Sequence, residues 1–468
     1  VYNMLKLSRG LFMITGEKKY LDYYENTFYN SILSSQNPET GMTTYFQPMA
    51  TGYFKTYGEP FTKFWCCTGS GMENFTKLND SLYFYRGSDI FVNMYFDSVL
   101  NSTEHDLKLE IKTALPFGKK TCVKLTTLDG AKKTDRLKLI FKMPDWVDEP
   151  EKVVFRLNGT ESGSATVIPG RDWAVVEGEF ADGDVIEFEL PMKLKAAGLP
   201  DDERVFGLKY GPLVLSADLG RENMSTTITG VDVTVPARKI AASEVIVLPD
   251  GVNAGDFAKD PEKYVTVEQP EGEGASVTVI PAGSKLRFSA HFLRYRDRYG
   301  IYFYYLTGDE AREAAAEGRF GNTEDVDTVM PGYGQYENDE LHAMLEKDTE
   351  SVTSGATYRI AKAGGAFSYR MAVDRSRKNR IRMMLRLCDN RKPLRISADG
   401  TDLYNDNLAY RGTDQYYPFE IELPGSVVAG AEHITANGAE YDVVTIAFSG
   451  TPEADSAAVC DFVKVVAY

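Results

Sequence analysis

Apolar residues in roughly the first 88 positions recur every three or four residues, which is the period of one face of an α-helix. The pattern predicts a first helix that ends at Thr15-Gly16 and a second helix from Glu17 to Leu33. A long loop rich in proline and glycine follows. A third helix is predicted to begin at Ser70, and its apolar face would carry Met72, Phe75, Leu78 and Leu82.

From about residue 89 the pattern changes to a period of two. Short runs such as Leu107–Ile111 and Leu137–Phe141 alternate between apolar and polar side chains, and turns with glycine or asparagine separate them. This spacing is typical of antiparallel sandwiches. It continues to the C-terminus, interrupted by a short Ala/Glu helix from Asp309 to Arg319. We therefore predict an α+β multidomain protein, with helices followed by antiparallel β-sandwich domains.

The changes of pattern give predicted domain boundaries. Residues 1–88 form a helical domain, residues 89–200 a β-sandwich, and residues 201–307 a second β-rich module. Residues 308–345 are a predicted linker with a short helix, and residues 346–468 a C-terminal β-sandwich of jelly-roll type. A chain of 468 residues is long enough for about three domains that each bury a core.

The charge of the chain excludes some classes of partner. A net charge of -16 argues against nucleic acid and against an anionic membrane surface, because both attract clustered Lys and Arg. No run approaches the ~20 apolar residues of a membrane span. The chain opens at Val1 without Met and already in helical rhythm, so we expect residues upstream and leave the localisation open.

Two adjacent cysteines, Cys66 and Cys67, are the strongest candidate for chemistry. They lie in the run Phe64-Trp65-Cys66-Cys67-Thr68-Gly69-Ser70-Gly71-Met72-Glu73-Asn74. Thiolate is a strong nucleophile and a soft metal ligand. Three interpretations stay open: packed core residues, a strained vicinal disulfide, and a nucleophile or metal site. Trp65 before the pair and the small residues after it favour an exposed turn.

Other ionisable residues are predicted to be structural. Cys122, Cys388 and Cys460 lie in or beside apolar runs and are expected to be buried thiols. No histidines stand at metal-ligand spacing, and His105, His291, His342 and His433 are expected to be surface or structural residues. Tetrahedral zinc needs three or four protein ligands, so the cysteine pair alone is not a complete site.

Carboxylates give no clear acid/base pair. Glu73 completes the capping box Ser70-x-x-Glu73, which explains it without catalysis. The acidic clusters Asp145–Glu149 and Tyr336–Glu340 are predicted to be solvated loops.

The cysteine run resembles a known family, as do Tyr2-Asn3-Met4-Leu5-Lys6-Leu7-Ser8 and Ser34-Ser35-Gln36-Asn37-Pro38-Glu39-Thr40-Gly41-Met42. These motifs are similar to glycoside hydrolase family 127 and its sister family 146, the β-L-arabinofuranosidases. The resemblance implies the last helices of an (α/α)6 barrel, followed by β-sandwiches, and a plant-derived glycan as substrate. It also implies a retaining mechanism on zinc, with Cys66 as nucleophile and with Cys66 and Cys67 as zinc ligands.

The sequence departs from that family at its start. Family members carry an E-x-C motif just before the Tyr2 run, which supplies the acid/base glutamate and a further zinc thiolate, and this chain starts at Val1. We therefore expect a C-terminal fragment that lacks most of the barrel. By itself it should bind zinc weakly and show little or no activity.

Two other functions compete with the glycosidase. The first is a non-catalytic carbohydrate-binding or scaffold protein built on the β-sandwiches. The second is a thiol-zinc or redox protein, which would need a resolving cysteine near the pair. In the glycosidase, the β modules are expected to buttress the barrel rather than bind glycan.

Overall fold

The computed structural model describes residues 1–77, 79–128, 130, 132–161, 165–222, 224–228, 233–236, 244–268, 276–316, 325–352, 357–436 and 439–468. The first 77 residues contain the helices α1 (Tyr2–Thr15), α2 (Lys19–Thr27) and α3 (Cys66–Thr76). Helix α1 ends as predicted, at Gly16, whose φ of 71° lets its N–H bond the carbonyl of Phe12. Helix α2 continues as a π turn (Phe28–Ile32) and a 3₁₀ turn (Leu33–Ser35). That these helices belong to an α/α barrel stays a prediction.

The predicted start of α3 at Ser70 is wrong. The helix begins at Cys66, after an extended Trp65, so Ser70 lies inside it and forms no capping box. A Cβ atom on Gly71 would lie 2.7 Å from Thr43 Oγ1, so this helix packs directly on the preceding loop. This contact with Thr43 comes from tertiary packing, so the local sequence pattern could not show it or the start of the helix at Cys66. Leu78 lies outside the described residues, and Leu82 follows the helix.

Residues 83–190 form two five-stranded sheets around one hydrophobic core that includes Ile90, Leu109, Phe141 and Ile186. The first sheet has the order β1-β2-β6-β9-β8 and the second β3-β4-β5-β10-β7, and only the pair β2–β6 is parallel among the pairs described here. The strands are β1 (Tyr83–Arg86), β2 (Asp89–Val92), β3 (Ser98–Ser102), β4 (Leu107–Thr113), β5 (Lys120–Thr127), β6 (Leu137–Lys142), β7 (Arg156–Leu157), β8 (Thr166–Ile168), β9 (Trp173–Gly178) and β10 (Val185–Glu189).

A nine-stranded sheet follows and carries the helices. Its main path is β16-β21-β12-β13-β19-β18-β17, with β11 beside β12 and β20 beside β13, while β14 and β15 form a separate pair. The elements are β11 (Leu194–Gly198), β12 (Val205–Tyr210), β13 (Leu213–Asp218), β14 (Thr226–Ile228), β15 (Thr234–Pro236), β16 (Val245–Val247), α4 (Ala254–Lys259), β17 (Val265–Glu268), β18 (Thr278–Pro281), β19 (Phe288–Ala290), β20 (Tyr299–Gly300) and β21 (Phe303–Leu306).

The helices and the nine-stranded sheet share one core. Leu5, Tyr24 and Phe28 from the helical segment pack with Leu215 and Phe288 from the sheet. Helix α2 is also fixed to the first pair of sheets, because Glu25 accepts a hydrogen bond of 3.2 Å from the buried ammonium of Lys142. The helices therefore have a defined position on the β modules.

The C-terminal part is one ten-stranded sheet around its own core, with main order β27-β26-β30-β24-β31-β25-β28. The strand β22 lies within the predicted linker and pairs with β31. The elements are α5 (Gly308–Ala316), β22 (Asp325–Val329), α6 (Gly334–Glu337), β23 (Leu345–Val352), β24 (Tyr358–Ala372), β25 (Asn379–Arg386), β26 (Pro393–Ala398), β27 (Thr401–Asn407), β28 (Tyr416–Leu423), α7 (Gly425–Ala429), β29 (Glu432–Ala436), β30 (Ala439–Ser449) and β31 (Val459–Ala467).

Two predictions about this part are wrong. The cluster Tyr336–Glu340 is not a solvated loop, since Glu337 is fully buried and receives two hydrogen bonds, of 2.6 and 2.7 Å, from Arg359. Cys388 is exposed rather than buried, because it lies in a 3₁₀ turn between strands, whereas Cys460 is buried in β31. No helix in the described part of the chain is both long enough and apolar enough to cross a membrane.

Candidate active site

A cleft of about 500 Å³ lies where the helices, the long loop and the nine-stranded sheet meet. The helical segment lines it with Tyr2, Asn30 and Cys67, and the loop with Tyr45 and Gln47. The sheet region supplies the remaining wall with Val214, His291, Ile301 and Tyr302. The cleft is therefore formed by both the helical segment and the nine-stranded sheet, which the sequence pattern assigns to separate domains.

The cysteine pair lies at this cleft. Cys66 is the first residue of α3 and is exposed, whereas Cys67 is half-buried and lines the cleft. The two Sγ atoms are 3.9 Å apart and unbonded, so the pair is not a disulfide, and the exposure of Cys66 excludes the packed-core interpretation. The start of a helix has unsatisfied N–H groups and a partial positive charge, both of which stabilise a thiolate.

The environment makes the two thiols different. The Tyr45 hydroxyl lies 3.6 Å from Cys66 Sγ, and hydrogen bonding from Tyr45 and then from Cys67 lowers the pKa of Cys66. The same contact raises the pKa of Tyr45 to about 12. Burial, and next the neighbouring Cys66 sulfur, raise the pKa of Cys67. Cys66 is therefore the sulfur that ionises first.

Two sulfurs at this separation suit part of a zinc site. Sulfur atoms that each lie about 2.3 Å from a tetrahedral zinc are about 3.8 Å apart, which is close to the observed 3.9 Å. Within the described ranges, however, no group of three or more His, Cys, Asp or Glu side chains could hold a metal. The pair thus fits two corners of a tetrahedral site, and the rest of a ligand set is not found in the part of the chain that the structure describes.

No carboxyl group among the described residues lines the cleft. Glu73, on the third turn of α3, is exposed and pairs with Lys6 of α1 at 3.2 Å, which lowers the pKa of Glu73. A general acid needs a carboxyl that stays protonated near neutral pH, so this ion pair argues against Glu73 in that role. The prediction that Glu73 is structural is therefore supported by a different contact from the expected capping box.

The histidines have four different environments. His105 contacts Ser102 at 2.7 Å, His433 is exposed beside Asp442, and His342 is buried between Asp327 and Asp339. These three agree with the expected surface or structural roles. His291 differs because it lines the cleft, and its position in the sequence gave no signal, since other parts of the chain fold against it.

A second residue that the sequence reasoning missed is Lys55, which is 5% exposed below the cleft. Its Nζ donates to Ser34 Oγ at 2.7 Å and to the carbonyl of His291 at 3.4 Å. The Ser34 hydroxyl donates in turn to Gln47, which lines the cleft. Burial lowers the pKa of Lys55 to about 7. Lys55 thus links the two walls of the cleft, through the carbonyl of His291 on one side and through Ser34 and Gln47 on the other.

Comparison with family models supports the resemblance that the sequence motifs predicted. Residues 1–80 match the catalytic domain of the GH127 β-L-arabinofuranosidases, and residues 89–192 match the middle domain of the same enzymes. Both cysteines of the pair lie inside the first match. Among curated proteins, none matches the chain.

Comparison with solved structures gives partial matches, which include a GH127 β-L-arabinofuranosidase from Geobacillus stearothermophilus T6, with 13% identity over 65% of this chain and 49% of its own, and a TM-score of 0.45. Another GH127 β-arabinofuranosidase has 17% identity, coverages of 64% and 48%, and a TM-score of 0.45. A family 35 carbohydrate-binding module from Clostridium thermocellum has 12% identity, coverages of 30% and 98%, and a TM-score of 0.20. The chain spans about half the length of the two glycosidases.

Proposed function

We propose that this chain, whose residues 1–80 and 89–192 match the catalytic and middle domains of the GH127 β-L-arabinofuranosidases, works as a glycoside hydrolase on β-L-arabinofuranosides of plant-derived glycans. One observation carries the proposal. Within the segment that matches the catalytic domain, the thiol with the lowered pKa stands at a helix start and beside the cleft. We assign Cys66 as the nucleophile.

The proposed reaction has two steps and retains the configuration of the sugar. The Cys66 thiolate attacks the anomeric carbon, so a C–S bond forms while the C–O bond to the leaving group breaks and that oxygen takes up a proton from solvent water. Water then attacks the same carbon and releases one proton to solvent, the C–S bond breaks, and the thiolate returns. The Tyr45 hydroxyl and the start of α3 stabilise the thiolate before attack and after its release.

The proposal includes zinc with Cys66 and Cys67 as its two sulfur ligands from this chain. Bound zinc would supply charge that keeps the thiols ionised. Because the described residues provide only these two ligands and no carboxyl in the cleft, we expect weak zinc binding and slow turnover from this chain by itself.

The test is to incubate the chain with 4-nitrophenyl β-L-arabinofuranoside and to map any covalent sugar by peptide mass spectrometry. We expect one pentosyl group on Cys66, with a first release of 4-nitrophenol in equal amount before turnover adds to it. Cys66→Ser should abolish both signals. Cys388→Ser is the matched control, since Cys388 is also an exposed thiol but lies on the C-terminal sheet, and it should change neither.

A second candidate, carbohydrate binding without hydrolysis, is favoured by the absence of a described carboxyl group from the cleft. The same experiment separates the two functions. If the sugar binds saturably while no adduct forms on Cys66 and no 4-nitrophenol is released, with and without added zinc, the nucleophile assignment is wrong and the binding function is right.

A further inference from the structure

The wall of the cleft that the nine-stranded sheet supplies contains one imidazole, that of His291, beside the phenol of Tyr302 among its lining residues in the described ranges. His291 begins the 3₁₀ turn His291–Leu293, directly after β19, and only 4% of it is exposed. It lies outside both segments that match the glycosidase models, which end at residue 192. The two proposed chemical steps do not involve His291.

The ring of His291 is held from one side. Its Nδ1 atom lies 3.2 Å from Ser216 Oγ of β13, and the ring packs edge-to-face on Tyr299 with centroids 4.8 Å apart. These contacts fix the plane of the imidazole and occupy one of its two nitrogens. For Nε2, the described residues provide no hydrogen-bond partner. A histidine that served only as packing would be expected to satisfy both nitrogens or to lie away from a cleft.

Burial and nearby positive charges favour the neutral form of the His291 ring. Burial lowers the pKa of His291 well below its ordinary value, and the nearby cations of Lys55 and Arg294 lower it further. Asp297, the acidic group on the same segment, is paired with Arg294 at 2.8 Å. A neutral imidazole can donate or accept one hydrogen bond at Nε2, which suits a sugar hydroxyl, a group that does both.

We propose that Nε2 of His291 binds a hydroxyl group of the sugar in the cleft, so that the nine-stranded sheet contributes directly to substrate recognition. This proposal rests on the proposed function, because it takes a pentofuranoside as the ligand. Lys55 is the corresponding positioning residue, since its ammonium contacts the backbone carbonyl of His291 and, through Ser34, the opposite wall at Gln47.

The test follows the imidazole nitrogens by long-range ¹H–¹⁵N NMR during a titration with methyl β-L-arabinofuranoside. The chain has four histidines, so the spectrum is simple, and His342 on the C-terminal sheet serves as an internal control. We expect a saturable shift of the His291 Nε2 signal and none for His342. His291→Phe should weaken binding roughly 3- to 10-fold, as loss of one neutral hydrogen bond does, and His291→Gln should restore part of it.

His433→Phe is the matched control, because it makes the same change at an exposed histidine on strand β29 of the C-terminal sheet, and it should leave binding unchanged. The outcomes are distinguishable even if His291→Phe does not fold, since the NMR reading uses the unmodified chain. If the sugar binds, as read by slower alkylation of Cys66, while the His291 ring does not shift, the His291 proposal alone is overturned. If no sugar binds, the proposed function fails together with it.

Discussion

The helical segment, residues 1–77, and the C-terminal sheet, residues 325–468, treat apolar and charged side chains in opposite ways. The helical segment exposes eleven large apolar side chains and buries two acidic or basic ones, Glu25 and Lys55. Among its described residues, the C-terminal sheet exposes two large apolar side chains, Leu345 and Tyr468, and buries six that are acidic or basic (Asp, Glu, Arg or His). The exposed set of the helical segment is Val1, Met4, Leu7, Met13, Ile14, Tyr23, Phe46, Met49, Phe61, Phe64 and Met72.

This difference indicates that charged side chains stabilise the C-terminal sheet, whereas the candidate residue for chemistry lies in the helical segment. In the C-terminal sheet the buried charges neutralise one another, as Glu337 does with Arg359, so they stabilise the fold and are not available to a ligand. In the helical segment the thiol of Cys66 is exposed, and the hydroxyl beside it belongs to Tyr45 of the long loop. Substitutions in the C-terminal sheet should therefore change stability, and substitutions around Cys66 in the helical segment should change the reactivity of its thiol.

The largest expected effect is on the buried pair of the C-terminal sheet. Glu337→Gln leaves the Arg359 charge without its buried partner and weakens the bond from the Tyr369 hydroxyl, which is 2.7 Å long. We expect a loss of about 3–5 kcal/mol in the local unfolding free energy. The three tryptophans lie at 65, 146 and 173, outside this sheet, so amide hydrogen exchange of β24 and β30 is the measurement.

The control is Glu350→Gln, which removes an exposed ion pair with Lys362 on the same sheet and should lower the local unfolding free energy far less than Glu337→Gln does. Equal effects of the two substitutions would show that the buried network does not stabilise the sheet. The two regions would then differ in which side chains they expose, but not in the use of buried charges for stability.

The next largest effect is the pH dependence of the stability of the C-terminal sheet. Burial opposes a charged His342, but Asp327 and Asp339 outweigh it and raise the pKa of His342 from 6.5 to about 10. The stability that the charged ring provides is therefore complete below pH 6.5 and is lost as the pH rises toward 10. Hydrogen exchange of β24 should show a decline of at most about 1.4 kcal/mol per pH unit in this range.

His342→Gln removes this titration. The variant will be less stable at every pH, so the test is the slope rather than the level. A variant whose exchange-derived stability falls between pH 7 and 9 as steeply as that of the unmodified chain would contradict the raised pKa.

A smaller effect is expected where α3 packs on the loop. Gly71→Ala places a methyl group against the Thr43 side chain, with 2.7 Å to Oγ1 and 2.8 Å to Cγ2. We expect a loss of about 1–3 kcal/mol from overpacking. Gly69→Ala, in the same helix with open space around its Cβ position, should instead stabilise by about 0.5–1 kcal/mol. Thermal unfolding followed by far-ultraviolet circular dichroism measures both, and changes of the same sign would mean that α3 does not pack as described.

The smallest effect concerns the reactivity of the exposed thiol. Because hydrogen bonding from Tyr45 lowers the pKa of Cys66, the thiolate fraction at pH 7 should fall in Tyr45→Phe. Alkylation of Cys66 by iodoacetamide should become a few-fold slower at pH 7 and stay nearly unchanged at pH 10. Cys388, exposed on the other region, is the internal reference and should keep its rate. A uniform change at both pH values would point to altered access instead.

Much of the architecture was predictable because it depends on short-range patterns. Helix α1 ends at its glycine, and the alternating runs at Leu107 and Leu137 are strands. Local patterns failed where a distant contact decided the outcome. Helix α3 begins at Cys66 rather than Ser70, and Glu337 is buried because Arg359, on another strand, pairs with it.

The sequence by itself determined the switch from helices to strands, the cysteine pair as the candidate for chemistry, and the family resemblance over residues 1–80 and 89–192. Each of these is a property of neighbouring residues. Only the tertiary structure decided which sulfur ionises first and which distant side chains line the cleft. Lys55 and His291 stand 236 positions apart, and the contact between them exists because the helical segment and the nine-stranded sheet bury a common core.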